Sequence, residues 1–314
     1  MGTKDITSRR LEEYNDVFAD IVNVLVFNGE RRVREDELVD IDTKSEIVAD
    51  DKGLRLQERD VAKFWTKHNI KLALFGLENQ AAADYQMPLR LYSYNGASYK
   101  AQLIPDKTSQ NADSPRQPFY PVITLVLYFG FERWTAPRTL YEAVQIPEEL
   151  QRFIPDIPIN LVEVAWLEDE IIERFQSDFR IVARLFKEMR IYGKDSFTRQ
   201  NPELQKRADH LLDTLRMLSA YSNDPRFSII ADKKPEFKEP TMLAALDYLE
   251  NRGIEKGISL GRQEGTDRLN LLYAQLIAQN RNEELVQAIL HPEILKKLME
   301  EFGMSDDDNV EFAH

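Results

Sequence analysis

Three residues carry the densest chemical signal in this chain: Asp60, Glu78 and Gln80. Glu78 and Gln80 end the run KLALFGLENQ, a compact apolar stretch whose length and polar flanks predict a strand. Side chains alternate along a strand, so residues 78 and 80 share a face while Asn79 points to the other. Asp60 belongs to the preceding segment GLRLQERDVAKFW, 53 to 65, also predicted as a strand. If the two strands pair as an antiparallel hairpin, Asp60 comes to lie beside Glu78. Two carboxylates at one edge of a sheet make a hard, all-oxygen site suited to Mg²⁺ or Mn²⁺. Water on such an ion has a lowered pKa and can attack phosphorus, which is the chemistry of phosphodiester hydrolysis. A plainer reading stands beside this one. Most carboxylates are exposed, so Asp60 can be a solvated member of QERD and Glu78 a strand-end carboxylate in water.

The elements that must position these residues are legible on either side. Apolar residues from Leu11 to Phe27 recur at helical spacing, and Asn28-Gly29 supplies a stop. The polar face of that helix carries Asp16 and Asp20, four apart. After Asp84 the stretch from 85 to 103 predicts a helix with Pro88 in its first turn. Arg90 and Tyr94 then share a face, and the arginine fork matches phosphate geometry. Surface and packing roles suit Arg90 equally well and Tyr94 better, since a tyrosine ring often packs in a core. FYPVITLVLYFG, 119 to 130, reads as a strand buried on both faces, INLVEVAWL, 159 to 167, as a further strand, and residues 168 to 190 as a helix. This order predicts a mixed α/β layer fold.

Composition narrows the function classes. With no cysteine among 314 residues, disulfides, thiolate metal sites and cysteine nucleophiles are all excluded. The polar N-terminus lacks the apolar core of an export signal, and no apolar run reaches the roughly 20 residues of a membrane span, so a cytoplasmic protein is expected. The net charge of −13 argues against a general nucleic-acid binder, although a cutting site itself needs carboxylates. The four histidines show no ligand spacing, and there is no phosphate loop or GxSxG elbow. Almost everything from Asn201 onward is helical in pattern, with ADKKPEFKEP, 231 to 240, as the best linker. Gly253, Gly257, Gly261 and Gly265 follow at intervals of four. They form either one stripe on a helix, open to close approach by another helix, or a flexible charged linker. Three regions are expected: 1–195, 196–235 and 236–314, the last self-associating through its helices.

Taken together, LRLQERDVAKFW, ALFGLENQAAADYQMPLRLYSYNGASY, YPVITLVLYFG with Trp134, and the tail IEKGISLGRQEG resemble one family. It is the recombination-promoting nuclease/putative transposase family (YhgA-like) of the PD-(D/E)XK nuclease superfamily. The resemblance implies a restriction-endonuclease-like core, a mixed sheet flanked by helices, with a helical C-terminal extension. It implies a metal-dependent DNA endonuclease; the alternative is a non-catalytic binding or assembly protein on a nuclease-derived fold. Asp60 matches the motif aspartate, and Glu78 the acidic residue that begins the (D/E)XK element. By this resemblance Asp60, Glu78 and the Asn79 carbonyl hold Mg²⁺, Gln80 orients the attacking water, and Asp16 completes the shell. Gln80 stands where the superfamily usually has lysine, and a neutral amide offers hydrogen bonds without charge.

Overall fold

A computed structural model of the chain describes residues 10–41, 47–48, 55–56, 60–103, 118–193, 202–222, 224–233, 237 and 239–304. The predicted strand over 53–65 and the predicted linker over 231–240 therefore lie partly outside the described residues. Among these, helices α1 (Arg10–Glu13) and α2 (Asn15–Leu25) lead into strand β1 (Leu38–Asp40). The short β2 (Ile47–Val48) and β3 (Arg55–Leu56) pair with each other in a separate ribbon. Then come β4 (Val61–Lys67), β5 (Ile70–Gln80), α3 (Met87–Ala101), β6 (Val122–Tyr128), α4 (Leu140–Ala143), α5 (Glu148–Gln151) and β7 (Asn160–Glu163). The main sheet runs β1-β4-β5-β6-β7. Its first two pairings are antiparallel and its last two parallel, so it is a mixed sheet within an α/β fold.

The predicted hairpin is β4–β5. His68 and Asn69 both have positive φ, 49° and 63°, between the paired Lys67 and Ile70, the two-residue turn whose twist matches that of the strands. The sheet is covered on both faces. On one side Phe27, just beyond α2, sets its ring edge-on to Trp65 and Phe75. On the other side Met87, Leu91 and Tyr94 of α3 join Val126, Tyr128 and Trp134 in one buried cluster.

Gly130 is fixed by this second cluster. A Cβ there would lie 2.0 Å from the Tyr128 hydroxyl, whose ring meets Trp134 edge-on at 5.2 Å. Gly130→Ala is expected to lower unfolding free energy by about 1–3 kcal/mol, the usual cost of overpacking, as read by urea denaturation. An unchanged midpoint would show that the Tyr128 ring moves aside freely.

Two predicted elements are shorter than their sequence patterns. The strand over 159–167 ends at Glu163, and Val164–Trp166 form a 3₁₀ turn. The helix over 168–190 divides into α6 (Asp169–Ile172) and α7 (Phe179–Tyr192). The break has a definite cause: the backbone N–H groups of Gln176 and Ser177, and the Ser177 hydroxyl, all donate to Asp20 at 2.7–2.8 Å. Those donors are thereby lost to a continuous helix. The helix predicted from Leu11 is interrupted at Tyr14, which is extended at φ −68°, ψ 132°.

The chain divides into two compact units, Met1–Leu246 and Asp247–His314. In the first, α7 is followed by α8 (Pro202–Gln205), α9 (Leu211–Ser222) and α10 (Pro225–Lys233). Three further helices follow: α11 (Met242–Ala278), α12 (Asn282–Leu290) and α13 (Pro292–Glu301). The second unit has its own small core of Leu272, Leu276, Ala288 and Leu298. The glycine ladder lies within α11, helical rather than a loose linker, and a Cβ added at any of its four positions would meet nothing within 4 Å. Among the described residues no helix is long and apolar enough to cross a membrane.

Candidate active site

The hairpin register decides where the acidic residues meet. Val61 pairs with Leu77. Asp60 lies immediately before β4, and continuing that ladder by one step would put it across from Glu78, the relation in which Cβ atoms are about 4.5–5.5 Å apart. Asp60 also ties itself to that strand, because its Oδ2 accepts the Asn79 backbone N–H at 2.7 Å.

Glu78 is 1 % exposed. A carboxylate at that depth requires a compensating cation, since an isolated buried charge is expensive. Arg90, from the first turns of α3, supplies it by pairing with Glu78 Oε1. The same guanidinium donates to Asp84 at 2.6 Å and, through Nε, to the Tyr94 hydroxyl at 3.2 Å. Gln80 Nε2 reaches Glu78 Oε1 at 3.4 Å, a weak contact that leaves its amide available. Burial opposes the charge on Arg90, but Glu78, Tyr94 and Asp84 outweigh it and raise the pKa further above its already high range. Burial and then the charge on Glu78 push the Tyr94 phenol up, so it stays protonated at neutral pH.

The opposite face of β5 holds a residue that sequence reasoning passed over. Asn79 points there, as the alternation requires, and its Nδ2 donates to Glu12 Oε2 at 2.6 Å. Glu12 lies in α1 and is fully buried. It, rather than Asp16, is the acidic residue of the N-terminal helices that reaches the motif strand. Asp16 is engaged by His210 Nε2 at 3.1 Å, on an imidazole stacked against Tyr14 at 3.6 Å. The interruption at Tyr14 explains the exchange: a helical wheel drawn through 11–27 assumes one uninterrupted rotation, and the extended residue breaks it. The structure thus brings Asp60, Glu78, Asn79, Gln80, Arg90 and Tyr94 together, and directs Asp16 elsewhere.

The donor chemistry at this edge suits a hard cation. Asp60 and Glu78 offer carboxylate oxygens, and the Asn79 carbonyl leaves the strand on the same edge as its N–H, the edge that Asp60 faces. On the opposite face of β5, the Asn79 side-chain oxygen is buried and has no hydrogen-bond partner among the described residues. Among the described residues no group of three or more His, Cys, Asp or Glu stands ready to hold a metal. The set fits an ion that keeps several waters and uses one or two protein carboxylates, which is the habit of Mg²⁺.

A family model described as "Putative transposase, YhgA-like" matches residues 56–214. The match includes Asp60, Glu78, Asn79, Gln80, Arg90 and Tyr94, and leaves out Glu12 and Asp16. No curated protein and no solved structure matches the chain.

Proposed function

From the premise that the chain belongs to the YhgA-like putative transposase family, we propose that it is a metal-dependent DNA endonuclease with Asp60 and Glu78 at its centre. The observation that carries this reading is the Asp60 carboxylate bonded to the Asn79 N–H, one residue along β5 from the buried Glu78. The element order supports it too. A helix, an antiparallel β1-β4-β5 meander, a second helix and a parallel β6 form the arrangement expected of a PD-(D/E)XK core.

In this reading Asp60, Glu78 and the Asn79 carbonyl hold Mg²⁺ or Mn²⁺. The ion, when bound, supplies an acidic water and stabilises charge developing on the phosphate. Gln80 shares the face of Glu78, and its amide is placed to orient a water by accepting or donating hydrogen bonds without adding charge. Glu12 acts through Asn79: by holding the side-chain amide it fixes the rotation of the peptide whose carbonyl faces the site. Purified protein is expected to cut duplex DNA with Mg²⁺ or Mn²⁺ and to stop when EDTA is added. Cutting unaffected by EDTA would remove the metal from the proposal.

A second reading, a non-catalytic binding protein on this fold, draws on the neutral Gln80 and on the guanidinium already seated on Glu78. Calorimetry separates the two, because a folded protein that takes up no Mn²⁺ even with DNA present would favour it. We also assign self-association to the C-terminal helices, given the exposed Ile254 and Ile258 beside an open glycine stripe. Solution mass of the full chain and of one ending at Leu246 tests this. Two monomers would refute it.

A further inference from the structure

Arg90 occupies the place where a cation at Glu78 would be needed, and it is held there by contacts that look outward as well as inward. Its guanidinium bridges the buried Glu78 and Asp84, and its Nε rests on the Tyr94 hydroxyl. We propose that Arg90 is a latch: it neutralises Glu78 while the site is empty, must leave that carboxylate before a metal ion can use it, and is drawn off by a nucleic-acid phosphate. The proposal rests on the nuclease reading above and adds to it an order of events, in which the polyanion promotes metal uptake.

Three features support a movable contact. First, Glu78 at 1 % exposure needs positive charge at all times, so one cation can replace another there but neither can simply be absent. An arginine and a divalent ion against the same oxygens would repel each other strongly at such short range. Second, the Arg90 side chain retains 34 % exposure, so its head group has a route to solvent. Asp84, at 26 % exposure, already binds the guanidinium and offers a second carboxylate to hold it after it leaves Glu78. Third, the Nε contact to Tyr94 can persist as a pivot while the Nη groups swing, because Tyr94 is itself buried in the cluster beneath α3. Phosphate is the chemistry most able to pull an arginine from a carboxylate, since the fork binds both in the same two-pronged way.

Binding of Mn²⁺ tests this without reference to turnover. In the full-length protein without DNA, Arg90→Gln is expected to bind Mn²⁺ about tenfold more tightly than wild type by calorimetry, within the range usual for coupled sites. A phosphorothioate oligonucleotide should tighten Mn²⁺ binding to the wild type by a similar factor and leave Arg90→Gln nearly unchanged, because the side chain that carries the coupling between the two ligands is then missing. Arg90→Lys keeps a cation near Glu78 but cannot bridge both carboxylates, and should fall between the two. It serves as the readout if Arg90→Gln does not fold. Equal affinities in wild type and the variants, or no binding in any of them, overturn the latch. Glu78→Gln separates this failure from that of the underlying reading. If Glu78→Gln binds Mn²⁺ like wild type, the metal does not use Glu78 and the site itself is misassigned, whereas loss of binding there with a flat Arg90 comparison sinks only the latch.

Discussion

Asp60→Ala and Glu78→Gln should each reduce DNA cleavage by roughly a hundredfold or more, since outer-shell partners of a metal site alone are worth about ten- to a hundredfold. The two variants should reach that loss with different structural costs. Asp60→Ala leaves the Asn79 N–H without its 2.7 Å acceptor at a partly buried edge, a penalty of about 1–3 kcal/mol. Glu78→Gln keeps the shape of the side chain and removes a buried charge, while Arg90 retains Asp84 and Tyr94. Glu78→Gln is therefore the cleaner test, with circular dichroism and a melting curve near those of wild type beside a lost activity. Relaxation and linearisation of supercoiled plasmid in Mn²⁺ measures it. Folded variants that cut at the wild-type rate would show that the chemistry lies elsewhere on the chain.

Much of this site was legible because it depends on short-range rules. The alternation of a strand places Glu78 and Gln80 together, and two adjacent strand patterns suggest a hairpin that brings Asp60 toward them, although the His68-Asn69 turn that closes it has none of the usual Asn-Gly or Asp-Gly signature. The helix from Met87 follows from its periodicity and from Pro88 at its start. What was not legible depends on contacts between distant residues. Glu12 reaches Asn79 across 67 positions, and nothing local marks it as buried. The split of the helix predicted over 168–190 likewise depends on a carboxylate from α2, Asp20. Arg90 shows the same limit at closer range: spacing puts it on the face of Tyr94, but only the packed structure shows it seated on Glu78 rather than facing solvent.

Asp20→Ala is expected to be strongly destabilising, costing about 3–5 kcal/mol in urea unfolding, because a buried carboxylate that accepts several hydrogen bonds, each worth about 1.5–3 kcal/mol to a charged group, is lost at once. Its spacing from Asp16 suggests an exposed polar face, yet Asp20 is 3 % exposed. One oxygen pairs with Arg31 at 2.5 Å, and the other accepts the N–H groups of Gln176 and Ser177 and the Ser177 hydroxyl. Removing it strands several buried donors and a partly buried guanidinium at once, so the cost exceeds that of one hydrogen bond. Asp20→Asn separates charge from shape: its amide oxygen can still accept from the 176–177 segment while the ion pair to Arg31 is lost, so it should recover part of the deficit. Because Asp20 bonds Arg31 and the 176–177 segment rather than the candidate site, the folded fraction of either variant should bind Mn²⁺ as wild type does, with the loss appearing in the amount of folded protein. A stability cost under about 1 kcal/mol for Asp20→Ala, the worth of an exposed ion pair, would instead mean that the junction between α2 and α7 is held by apolar packing alone.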